Sequence, residues 1–344
     1  TKFYRQIIHT KKCLQSIFKG LILNLRIYPL KISRRKQTMF EEKIRGLEQK
    51  INCEYGNIAG MVVLKNNETL YENYFNGYTP TDTFHVFSVT KSIVSILIGI
   101  AIDKGYIKNV DQKVLDFFPD YTIKKGEETI QTITIKHLLT MTAPYKFRWT
   151  PYAKVFSSKD WVKATLDLLG GKKSAGEFRY MEEIGPDILT GILTRATGRP
   201  VLDFAQEFLF SPLGITVPSN IILYTSKLHV AFVKKNNASG WVADESGTNT
   251  AGWGLTLTAM DMAKIGQLYL KEGKWNGRQV VSSAWVREST TEHSRWKKEN
   301  LPYGYLWWTK IVNGYAAMGN SGNVIYVNPS KKVVVSVAAL FQPA

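Results

Sequence analysis

The chain is short of the residues that would mark it as a metalloprotein, a disulfide scaffold or a membrane span. It has two cysteines in 344 residues, Cys13 and Cys53, and neither lies in a Cys-x-x-Cys pattern. Two thiols cannot make a metal site alone, and one disulfide is allowed but not required, so no redox compartment follows. The five histidines, His9, His85, His137, His229 and His293, include no ligand pair such as His-Glu-x-x-His. Each reads as structural or exposed, and no metal is expected. There is no Walker A loop and no Gly-x-Gly-x-x-Gly, so no nucleotide or other cofactor is expected either. The tail's longest apolar run, GLILNL, is far too short for a bilayer, and the long apolar region and small-residue cleavage site of a secretory signal are missing.

Acidic residues are absent from the first 38 positions, which hold ten Lys or Arg. Of the net charge of +17, about +7 is left for the rest of the chain, an ordinary value for its size. The basic residues 1–38 read as a helical or disordered extension, or as a segment able to lie on an anionic membrane surface. Charge of this kind alone gives only salt-sensitive, sequence-independent affinity for nucleic acid. The body carries no nucleic-acid motif, so no nucleic-acid partner is expected. The expected location is the cytoplasm or a membrane surface; the oligomeric state is not legible. Met39 is a candidate start for the folded body.

What is present is an ordinary globular composition, 44% apolar and 12% aromatic. Phe40, Ile44, Leu47 and Ile51 keep helical spacing. GMVVLKNNETLYENYF reads as two strands joined at Asn66-Asn67. From Ser92 to Ala101 the chain is apolar nearly all round, the mark of a helix buried on every side. Short helical patterns broken by Gly, Pro and Thr follow, then a clear helix over TAMDMAKIGQLYLKEGKW. Strands return at the end, with Asn313-Gly314 as a two-residue hairpin signal. This order predicts an α+β fold, an antiparallel sheet built from both chain ends and flanked by helices, with an all-helical lobe inserted. The boundaries read as a basic extension (1–38), a discontinuous sheet domain (39–120 and 237–344) and a helical lobe (121–236).

The buried helix is preceded by Ser88 and Lys91. If Ser88 opens the helix, residues three apart share a face, so the amine reaches the hydroxyl. The helix N-terminus favours negative charge developing there, and burial lowers a lysine pKa until a neutral amine can take the serine proton. The alternative is a helix cap with a solvated first-turn charge. From these residues alone both stay open. No Gly-x-Ser-x-Gly elbow is present; GNSGN around Ser321 comes nearest but lacks the spacing.

With these features the chain resembles the serine β-lactamases and penicillin-binding proteins, over roughly Ile58 to Leu340. In texture it is nearest to class C enzymes, D-Ala-D-Ala carboxypeptidases, family VIII esterases and aminohexanoate-oligomer hydrolases. SVTKS matches the Ser-x-x-Lys motif, which implies Ser88 as nucleophile and Lys91 as base. GEFRYMEEIGPDILTGILTRATGR looks like the segment with Tyr-x-Asn, which implies Tyr180 as acid/base. AAMGNSGNVIYVNP matches the strand that carries Lys-Thr-Gly or His-x-Gly, here Asn320-Ser321-Gly322. The resemblance also implies an acyl-enzyme and an oxyanion hole formed by the N–H groups of Ser88 and Asn323.

Two departures shape the expected substrate. Glu182 stands where the family has Asn, and Asn320 where it has Lys or His. An Asn donates to a substrate carbonyl and an ionised Glu does not, while a neutral Asn320 pairs poorly with a carboxylate. Both changes favour a neutral ester or amide, or a substrate bearing an amine for Glu182, over penicillins and D-Ala-D-Ala ends. The substrate-binding set is therefore Glu182, Asn320, Ser321 and Gly322. Glu182 would also raise the Lys91 pKa and slow its work as a base. The leading expectation is a serine hydrolase of small esters or amides. The alternatives are D,D-peptidase, penicillin-binding or β-lactamase activity, or a catalytically weak binding protein of the same fold. The resemblance further implies a C-terminal helix over the sheet, where this sequence stops at AALFQPA; either the helix is lost or the basic extension covers that face.

Overall fold

The computed structural model describes residues 34–148, 150–234 and 238–342. Cys13, His9 and most of the basic extension lie outside the described residues, and with them the expectation of membrane-surface contact there. A helix α1 (Arg34–Glu54) leads into the first strand and buries Leu47 and Ile51. The sheet has eight strands: β1 (Ile58–Lys65), β2 (Glu68–Tyr74), β3 (Ser294–Trp296), β4 (Leu301–Tyr303), β5 (Trp308–Ile311), β6 (Gly314–Met318), β7 (Val324–Asn328) and β8 (Val333–Ala339). Their order across the sheet is β2-β1-β8-β7-β6-β5-β4-β3, and every neighbouring pair is antiparallel. The two chain ends meet where β1 pairs with β8, from Ile58 opposite Ala339 to Lys65 opposite Val333.

The β1–β2 hairpin turns at Asn66 and Asn67, whose φ angles of +51° and +74° place both in the left-handed region that Asn tolerates. The second hairpin is one residue out of step with the sequence reading. Ile311 pairs with Gly314, so the turn is Val312-Asn313, with φ of +46° and +65°. Gly314 is instead the first residue of β6, and a Cβ there would lie 2.1 Å from the Val327 carbonyl oxygen. Its glycine serves close approach of the next strand.

Helix α2 (Val89–Asp103) is buried from Val89 to Ala101, as its unbroken apolar run predicts. Helix α4 (Ala259–Leu270) lies against the sheet. Thr258 caps it, accepting from the Asp261 N–H at 3.0 Å, and Ser336 of β8 donates to the Ala259 carbonyl at 2.7 Å. Between them the chain runs through short helices, including α3 (Asp187–Thr197), and three short strands: Asn220–Ile222 pairs in parallel with Trp241–Ala243, and Thr256–Leu257 pairs antiparallel with Phe84–His85. One apolar cluster runs through sheet and helices alike. Among the described residues, no helix is long and apolar enough to cross a membrane.

Candidate active site

Ser88 occupies the N-cap position of α2. Its hydroxyl does not cap the helix; its Oγ meets the Lys91 side-chain nitrogen, Nζ, at 2.7 Å. The one-turn spacing read from the sequence thus becomes a direct contact. The preceding residue, Phe87, sits at φ +50°, a costly conformation for an aromatic side chain. It is held there by rings on both flanks, His85 at 4.0 Å and Phe341 at 5.9 Å between centroids. Its carbonyl is also fixed, accepting the Thr90 N–H at 3.0 Å and the Thr90 hydroxyl at 2.7 Å.

Lys91 is 1% exposed. Beyond Ser88, its Nζ contacts the main-chain carbonyls of Glu182 and of Gly252, the latter at 2.8 Å. Carbonyls only accept, whereas a hydroxyl can donate. Three oxygens face Nζ: an ammonium fills the set by donating to all three, and a neutral amine fills it when the Ser88 hydroxyl donates in turn, so the contact lets a proton pass between Ser88 and Lys91. Burial lowers the Lys91 pKa to about 7, against the opposing pull of Glu182, Asp187 and Glu183.

Tyr180 completes the cluster. Its ring centroid is 5.2 Å from Lys91 Nζ, and its hydroxyl shares a hydrogen bond with Ser88. Trp308 and Tyr303 pack the ring at 5.4 Å and 6.2 Å. Burial raises the phenol pKa, with the Ser88 bond acting against that rise and Glu182 adding to it, so the group is a neutral donor at ordinary pH.

Glu182 reaches Lys91 through its main-chain oxygen, while its carboxyl acts at longer range and is itself pushed up by burial. Two further acids, not picked out in the sequence, stand nearby. Burial, with Glu182 close by, moves Glu183 up to about 7. Asp187 is also buried and is raised to about 6. The signal for Asp187 was its place at the start of a helix after Gly185-Pro186; nothing local ties it to Lys91.

The third motif lies in a turn between β6 and β7, not within a strand. Gly319 brings that turn beside the nucleophile, since a Cβ on it would lie 2.3 Å from the Val86 carbonyl oxygen. Ser321 sits at φ +64°, its carbonyl accepting from Asn57 at 2.7 Å and its hydroxyl donating to Asn320 Oδ1 at 3.2 Å. Asn323 is wholly buried, and its N–H turns back to the Asn320 carbonyl at 3.4 Å. Its side chain donates to the Asn320 and Ala339 carbonyls, both at 2.9 Å, and accepts the Ala339 N–H at 3.0 Å. The N–H contact is long for a hydrogen bond, while the side chain ties the turn to β8.

Among the described residues, two buried histidines serve packing. His85 accepts the Gly254 N–H at 3.0 Å, and burial takes its pKa down to about 3. His229 packs on Trp253 at 4.1 Å and is lowered to about 4. Among the described residues, no three His, Cys, Asp or Glu side chains are grouped to hold a metal ion.

Sheet, buried Ser-x-x-Lys helix and tyrosine together define a class, and comparison with known proteins agrees. The chain belongs to the Beta-lactamase family, whose sequence model matches residues 44–341. It is 25% identical over 246 residues to the 6-aminohexanoate-dimer hydrolase of Paenarthrobacter ureafaciens, an alignment covering 68% of this chain and 57% of that protein. The matched part thus spans little more than half the length of that relative. Among solved structures, the penicillin-binding protein homologue from Pyrococcus abyssi superposes with a TM-score of 0.65 at 19% identity, covering 87% of this chain and 73% of that one. A family VIII carboxylesterase gives 0.64 at 14% identity, with 85% and 89% covered. The fold is thereby that of the β-lactamase and penicillin-binding proteins, and the family's members include hydrolases.

Proposed function

We propose that the chain is a serine hydrolase acting on small esters or amides through an acyl-enzyme on Ser88. The observation that carries this reading is the direct contact between the Ser88 hydroxyl and the amine of a fully buried lysine, at 2.7 Å. In the first step the Ser88 hydroxyl proton passes to Lys91 as Oγ bonds the substrate carbonyl carbon, and the carbonyl oxygen becomes an oxyanion. The Ser88 N–H, at the N-terminal end of α2, points positive charge at that oxygen. The tetrahedral species then collapses. The carbon–leaving-group bond breaks, and the proton held by Lys91 reaches the departing oxygen or nitrogen by way of the Tyr180 hydroxyl. Water repeats the sequence in the reverse sense, giving its proton to Lys91 through Tyr180 and releasing the acid.

The pocket's charge sets the substrate class. Asn320 is neutral, and Glu182 and Glu183 place carboxyls within electrostatic reach of Lys91, so a neutral or amine-bearing substrate fits better than a carboxylate. The Paenarthrobacter relative, a 6-aminohexanoate-dimer hydrolase, supports a hydrolytic reading. The test is intact mass after treatment with a fluorophosphonate, beside Ser88→Ala. One adduct lost in the variant supports the reading; an unlabelled wild-type protein overturns it. A panel of esters bearing carboxylate, neutral and amine groups then checks the substrate class, and faster hydrolysis of the carboxylates, penicillins included, would overturn that part alone.

A further inference from the structure

We propose that Asp187 is a positioning residue for Lys91, fixing the gap between the two main-chain carbonyls that hold the amine. This rests on the serine-hydrolase reading above.

Lys91 is gripped from two directions. One carbonyl, of Glu182, belongs to the segment leading into α3; the other, of Gly252, belongs to a distant turn. Asp187 is the first residue of α3, only five positions after Glu182. Its Oδ1 accepts the Ala251 N–H at 2.7 Å and the Gly252 N–H at 3.3 Å. One side chain therefore rivets both segments together, and the amine sits in the gap that the rivet defines. The turn has little freedom of its own. Thr250 is bonded to the Val242 and Trp253 carbonyls, and a Cβ on Gly252 would lie 2.0 Å from the Glu183 carbonyl oxygen. The two segments are in direct main-chain contact where Asp187 joins them.

The other oxygen, Oδ2, is buried and without a hydrogen-bond partner. A carboxyl serving only as a staple would satisfy both oxygens or be replaced by a neutral acceptor, since a bare buried oxygen is costly. Its charge acts on Lys91 instead. Lys91 is faced by Glu182 and Glu183 from the loop, by Asp187 from α3 and by Ser88 and Tyr180 from the site itself. Asp187 is faced by Lys91, Asp244 and Tyr145. Geometry and charge thus pull in opposite senses. The clamp favours a well-placed amine, while the negative charge favours its protonated, inactive form.

Two substitutions separate these effects. Asp187→Asn keeps an acceptor oxygen for both N–H groups and removes the charge; Asp187→Ala removes both. The readout is the rate of Ser88 labelling by a fluorophosphonate against pH, with folding checked by circular dichroism and melting. We expect Asp187→Asn to keep a plateau rate within about threefold of wild type and to shift its midpoint to lower pH, because Lys91 loses a neighbouring negative charge. We expect Asp187→Ala to lower the plateau at least about tenfold, the scale on which misplacement of a base is felt. A folded Asp187→Ala with the wild-type rate and midpoint overturns the inference. So does Asp187→Asn with an unmoved midpoint or a plateau as low as that expected for alanine, and this arm decides if the alanine variant fails to fold. If wild type labels, these failures fall on Asp187 alone. If wild type does not label, the catalytic reading falls and takes this inference with it.

Discussion

The Ser88 turn and the Asn320 turn carry the two clearest motifs of the sequence, pack against each other at Gly319, and are built for different work. At Ser88 three functional groups converge on one another. A hydroxyl faces an amine at 2.7 Å, a phenol hydrogen-bonds the same serine, and the amine is 1% exposed. At Asn320 the polar groups are turned on one another: Asn320 on Ser321, Asn323 on Asn320 and Ala339, Asn57 on Ser321. Burial is equally complete at Lys91 and Asn323, so burial is not what distinguishes a working group from a structural one. The distinction is whether the partners can change protonation. Lys91 has a hydroxyl among its partners, and Asn323 has only amide groups.

The largest effect should come from removing the nucleophile. Ser88→Ala is expected to reduce hydrolysis of any accepted ester by at least about a thousandfold, measured against an untreated blank. Lys91→Met comes next. Methionine fills the buried stem without an amine, and loss of the base should cost about 100- to 10,000-fold in kcat/KM while the protein still melts cooperatively. If either variant retains more than about a tenth of wild-type activity, the Ser88 turn is not the working one. The pH dependence follows from the same group. In the proposed mechanism Lys91 is a base only when neutral, and its pKa is lowered to about 7, so kcat/KM should be small in acid and rise through a midpoint near that pH. A midpoint at the ordinary lysine value would mean that the acids around Lys91 outweigh its burial.

How much of this was legible depends on how far each feature lies from its partners in sequence. Ser88 and Lys91 could be read because a helix fixes residues three apart on one face, and their burial followed from the apolar run behind them. The sheet could be read because strands and turn residues repeat locally, although Asn313-Gly314 misled by one residue when Gly314 was needed for close packing on Val327. The partners of Lys91 were not legible. Glu182 lies 91 positions away and Gly252 161, and both contribute main-chain oxygens, which no residue type announces. The structural side of Asn323 was hidden for a related reason: the resemblance specified only its N–H, while its side chain bonds Ala339, 16 positions away.

A smaller effect tests the charge of the Asn320 turn. Asn320→Lys restores a cation, and one exposed ion pair with a substrate carboxylate changes relative kcat/KM by up to about fivefold. The ratio of carboxylate-bearing to neutral ester should rise by that order, and fall back in high salt. A ratio unmoved by the substitution would place Asn320 away from the substrate.

The smallest change in chemistry is expected at Asn323, and it discriminates best between the two turns. Asn323→Ala removes three buried hydrogen bonds, two to the Ala339 main chain and one to the Asn320 carbonyl. Orphaned buried groups cost about 1–3 kcal/mol each, and local relaxation recovers part of this, so stability should fall by about 2–4 kcal/mol. The rate of Ser88 labelling should stay within about twofold of wild type, because no reacting atom has moved. Melting and labelling are measured on the same preparation. A large fall in labelling with unchanged melting would make Asn323 part of the catalytic machinery and erase the difference between the turns. A fall in melting alone would establish that this turn ties β6, β7 and β8 into the wall against which Phe87 and Ser88 are held.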